Sequence, residues 1–88
     1  MQLKKKETLD QRWNREARKH LQGRTIVAVR YMTEDEAKEW GWHMRPVMFT
    51  LDNGTSIIVQ RDDEGNDGGA LLGLYDGSDG GEFILPVL

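Results

Sequence analysis

Residues 61–70, Arg-Asp-Asp-Glu-Gly-Asn-Asp-Gly-Gly-Ala, constrain the fold of this chain more than any other stretch. Four acids, one amide and three glycines fall within ten positions. A globular core does not accept such a run, because each buried carboxylate would need its own charge or hydrogen-bond partners. The segment follows a strand-like run and must be a surface loop. Three uses fit its chemistry: a turn device, a cation site, or a contact surface.

The rest of the chain reads as short regular elements. Leu9, Trp13, Ala17 and Leu21 recur every four residues among Lys, Arg, Glu and Gln, which predicts an amphipathic helix over about 7–22. Thr8 or Asp10 is placed to cap its start. Gly23 can end it, and Arg18, Lys19 and His20 suit its last turn. Thr25–Met32 is rich in β-branched residues and reads as a strand. Thr33 and Glu36 match a capping box, predicting a short second helix that runs to Glu39 or Trp40 and stops at Gly41. Val47–Leu51 and Thr55–Gln60 flank Asn53-Gly54, a pair in which both residues tolerate positive φ, and so predict a hairpin. Two further strands are expected over 70–75 and 82–88, with Pro86 holding the last to a sheet edge and a flexible turn over 76–81 between them.

The expected fold is therefore α+β. One small domain over 1–88 should carry an antiparallel sheet of three to five strands, packed against one long N-terminal helix, with a short second helix. With 88 residues the core is thin, and the absence of cysteine removes disulfide staples and thiolate chemistry. Self-association is one way to complete such a core, and a homodimer is expected.

Charge narrows the function classes. Formal net charge is −3, yet nine of the 12 basic residues precede Tyr31, and residues 62–82 hold seven acids and no base. Lys4, Lys5 and Lys6, with Arg12, Arg15, Arg18 and Lys19, offer a basic face, but the acidic balance argues against nucleic acid as partner. No apolar run approaches the roughly 20 residues that span a bilayer, and no apolar stretch follows the N-terminal lysines as in a secretory signal. Cytoplasmic residence is the default expectation.

The acidic loop admits two specific readings beyond a turn. As a cation site, Asp62, Asp63, Glu64 and Asp67 supply hard oxygen ligands suited to calcium or magnesium, although their spacing fails the EF-hand pattern. As a turn, Asp and Asn side chains cap backbone amides while Gly65, Gly68 and Gly69 adopt conformations closed to other residues. Crowding of like charges is then offset best by a basic partner, so Asp62, Asp63, Glu64, Asn66 and Asp67 are candidate partner-binding residues. Trp40, Trp42, Met44 and Arg45 join them, because tryptophan, methionine and arginine are enriched in protein contacts. The alternative is that both tryptophans cover a core too small to hide them. Catalysis has less support: His20 and His43 are the only histidines, packing is the default for His43, and no nucleophile system accompanies the carboxylates.

Leu51–Thr55, then Arg61–Leu71, then Leu85-Pro86-Val87, resemble a family of small uncharacterised bacterial and phage proteins. There a strand hairpin leads to a DDEGN-type loop and a closing LPV segment, and the likeness spans Gly23 onward. The resemblance implies no chemistry; it implies that the loop is more than filler. The sequence thus points to a non-enzymatic protein-interaction or assembly module, needing no cofactor, whose partner is a protein and most simply another copy of itself. A calcium- or magnesium-binding domain is the alternative.

Overall fold

Thr8 begins the first helix with both halves of a capping box. Its Oγ1 accepts from the Gln11 amide at 3.1 Å, and Gln11 Oε1 accepts from the Thr8 amide at 3.0 Å. Helix α1 then runs Leu9–Leu21. The computed structural model describes residues 6–75 and 81–88. Residues 76–80 of the turn expected over 76–81, and Lys4 and Lys5 of the basic face, lie outside them.

The sequence places α1 across the sheet, but none of its residues is buried. Leu9 is 72%, Trp13 60% and Leu21 49% exposed. The helix secures itself instead with a bidentate Arg15–Glu7 pair at 2.9 Å. Trp13 faces Gln60–Asp63 across an open cleft of about 800 Å³.

Five strands and a short helix follow: β1 Ile26–Tyr31, α2 Glu34–Glu39, β2 Val47–Leu51, β3 Ser56–Ile58, β4 Leu71–Tyr75 and β5 Gly81–Leu85. They form two antiparallel sheets, β1-β2-β3 and β4-β5, rather than one. The split has a visible cause. After β3 the chain bends back on itself, with Gln60 bridged to Gly68 and the Gly69 amide donating to Val59 O at 3.0 Å. That return runs beside Val59 and Gln60, past the end of β3, and β4 pairs with β5 in a sheet of its own.

In the first sheet, Val29, Phe49 and Ile57 stand in register, as do Tyr31 and Val47. A bulge between Ile26 and Ala28 sets Ile26 opposite Leu51. Strict alternation would give Ile26 the face of Ala28; the extra residue moves it to the face of Val29. The opposite face carries Met48 and Ile58, which pack on Met32, Ala37 and Trp42 to make the core. Helix α2 is held there by the expected capping box on Thr33 and by Arg30, which donates to both Glu36 carboxylate oxygens at 2.7 and 2.9 Å. Gly41, at φ +71°, ends it.

The β2–β3 turn differs from the two-residue form its Asn-Gly suggests. Only Gly54 has positive φ, +87°. Leu51 and Thr55 close a three-residue loop, in which Asn53 Oδ1 accepts from the Thr55 amide at 3.1 Å. In the second sheet the Phe83 ring lies over Gly73, whose missing side chain makes the room. Past β5, Pro86 O accepts from the Tyr31 hydroxyl at 2.9 Å, and Leu88 exchanges backbone bonds with Arg45 at 2.9 and 3.0 Å. These contacts tie the closing segment to the first sheet. The shape is open: the radius of gyration is 16.8 Å, against about 12 Å for a compact domain of this length.

Candidate functional site: a loop clipped to the tryptophan segment

The acidic loop and the Trp40–Pro46 connection meet at two points. Trp42 enters the core, 6% exposed, and its indole nitrogen would be costly there without an acceptor. Nε1 donates to Gly65 O at 2.7 Å. Asp67 makes the second tie. Its Oδ1 accepts from the backbone amides of His43 at 3.1 Å, Met44 at 2.9 Å and Gly68 at 2.9 Å. Its carbonyl accepts from the Arg61 amide at 2.9 Å, closing the base of the loop. Asp67 is 7% exposed, the one buried charged residue among those described. The Met44 amide foremost, with those of Gly68 and His43, holds its carboxyl below the ordinary range against the opposing effect of burial.

Asp62 shapes the loop from within. Its Oδ1 accepts from the Glu64 and Asn66 amides at 3.1 and 3.2 Å, and its Oδ2 from Asn66 Nδ2 at 2.9 Å. The Asn66 side chain is the main cause of its lowered pKa. Asn66 Nδ2 also reaches Glu64 Oε2 at 3.3 Å. The glycines serve two purposes. Gly65, at φ +70°, takes a conformation closed to side chains. Gly68 and Gly69, expected to do the same, have no positive φ; they permit close approach. A Cβ on Gly68 would stand 2.6 Å from Pro46 Cδ and 3.0 Å from Met44 O, and one on Gly69 2.8 Å from Gln60 O.

The nine candidate contact residues thus separate by orientation. Trp42 and Asp67 are turned inward. Asp62 and Asn66 are exposed but bonded to each other and to the loop backbone. Arg45 is half-buried, its backbone paired with Leu88. Asp63 and Glu64 face solvent, as do Met44 at 39% and Trp40 at 50% exposure. Trp40 stands edge-on to Trp42 with ring centroids 4.8 Å apart, so the clip that fixes Trp42 also fixes its exposed neighbour. His43 borders an open cleft of about 430 Å³ with Lys38, Arg45 and Leu88.

The same hydrogen bonds bear on the cation reading. Of its four carboxylates, Asp62, Glu64 and Asp67 already accept from the chain's own groups. Among the described residues, no group of three or more His, Asp or Glu side chains is placed to hold a metal ion. No described helix is long and apolar enough to cross a membrane.

Sequence reasoning did not single out Asp67 from its acidic neighbours. The available signal was the bulky Trp42-His43-Met44 connection, whose backbone amides need acceptors once the indole is buried. Compared with known proteins, the chain matches no family model, no curated protein and no solved structure.

Proposed function

We propose that this protein is a non-enzymatic interaction module, cytoplasmic in setting, that binds a basic protein surface through Trp40 and Met44 rimmed by Asp63 and Glu64. The supporting observation is the clip. Trp42 to Gly65 and Asp67 to His43 and Met44 fix the acidic loop and the tryptophan segment as one unit. Exposed apolar anchors on one segment and solvent-facing carboxylates on the other then stand ready without further ordering, which lowers the cost of association. Aromatic and methionine anchors inside a charged rim are the common plan of a protein contact. Of the segments that carry the resemblance to small bacterial and phage proteins, residues 61–71 are the ones the clip anchors to the tryptophan segment. Calcium or magnesium at the same carboxylates has less in its favour, since Asp62 and Asp67 are engaged within the chain.

Affinity capture from the source cell with the wild type, Asp63→Lys/Glu64→Lys and Trp40→Ala tests the reading. Both variants are expected to lose partners that the wild type retains. A partner set unchanged in both would overturn it.

A further inference from the structure

Strand β1 is an unprotected edge. Among the described residues it lies at the end of the β1-β2-β3 order and pairs with β2 alone. Ile26, Val27 and Val29 are 53%, 60% and 62% exposed. Natural sheets blunt such edges with charges, proline or very short strands. β1 has six residues, no proline, and Arg30 as its one charge. The other edge is treated differently: β3 has three residues and is followed at once by the Gln60–Gly68 bridge. The total surface leaves room for a partner, with α1, none of whose residues is buried, accounting for part of the excess. The chain exposes 7496 Å², about 2200 Å² more than is typical of a folded monomer of its mass. A standard interface takes about 800 Å² from each partner.

We propose that β1 pairs with β1 of a second copy, antiparallel about a two-fold axis near Ala28, making one six-stranded sheet. This rests on the reading of the protein as an interaction module, but it names the partner and uses a different surface. A strand edge is self-complementary under such an axis, so no other shape has to be matched. Pairing about Ala28 sets Val27 opposite Val29 of the second copy. Arg30 then faces Ile26, and like charges do not meet. Ile26 and Val29, brought to one face by the bulge, lose their exposure together.

Sedimentation equilibrium of the full chain at about 100 µM, well above the micromolar range in which a stable interface forms, is expected to give twice the 10.1 kDa monomer mass. Val27→Lys/Val29→Lys alters two side chains already in water, so the monomer fold should persist by circular dichroism. The dimer dissociation constant should rise by about 100-fold or more, because lysine blocks edge pairing. Hydrogen exchange of the wild type provides a readout free of substitutions: protection of β1 amides should rise with protein concentration. A monomeric wild type, a dimer indifferent to the two lysines, or concentration-dependent protection that spares β1 would each overturn the proposal. A monomer that still captures partners in a Glu64-dependent way would overturn this inference alone.

Discussion

Trp42→Phe isolates the clip from the core it sits on. The phenyl ring keeps most of the apolar volume under Met32 and Ala37, but it cannot donate to Gly65 O, 2.7 Å from the indole nitrogen. A lost hydrogen bond of this kind costs about 1 kcal/mol net. The smaller ring forfeits roughly another 1 kcal/mol of apolar burial. The expected loss is about 2 kcal/mol, which for a domain of this size lowers Tm by roughly 8–16 °C. Urea unfolding followed by far-ultraviolet circular dichroism gives the free energy; hydrogen exchange at residues 65–68 tells whether the loop has been released. Trp42→Ala serves as the upper reference at about 3–5 kcal/mol. If Trp42→Phe unfolds within about 0.5 kcal/mol of the wild type, inside the range of ordinary surface changes, and loop exchange does not accelerate, the tie between Trp42 and Gly65 does not hold the segments together.

Acid should weaken the fold through carboxyls that the native state keeps ionised. Arg30, foremost, holds Glu36 down to about 2 from 4.5, and Asp62 and Asp67 are lowered from 3.8. A lowered native pKa adds stability that is complete above the unfolded value and disappears as pH falls toward the folded one. Tm is therefore expected to stay level down to about pH 5 and to fall below it, with Glu36→Gln flattening the decline; a Tm that rises on acidification refutes the assignment. Gly68→Ala forces a methyl against Pro46 and the Met44 carbonyl and should cost about 1–3 kcal/mol by overpacking. Gly54→Ala, where the space is open but φ is +87°, should cost about 1 kcal/mol from backbone conformation alone. Thermal unfolding of the pair would show whether close approach or conformation governs each glycine.

The local elements were legible because their causes are local. The cap at Thr8, the capping box at Thr33, the helix end at Gly41 and the turn at Gly54 depend on neighbours a few residues away, and the sequence located them to within two residues. That 61–70 forms a loop followed from composition, since so many carboxylates and glycines cannot enter a core. What these residues do there depended on which distant backbone reached them. Asp67 looked like Asp63 until the amides of His43 and Met44 were brought to it. Gly68 and Gly69 looked like turn glycines until Pro46 and Gln60 were set against them.

The sequence by itself determined the α+β character, the helix caps and the solvent-exposed acidic segment, all consequences of periodicity and side-chain polarity. The tertiary structure decided that α1 covers no sheet, that the strands divide into two sheets, and that Trp42 and Asp67 face inward while Trp40 and Glu64 face out. Those outcomes turn on long-range pairing, and so does the face of Ile26, which one extra residue in β1 reverses. A sequence pattern of period two carries no mark of such an insertion until the partner strand is in place.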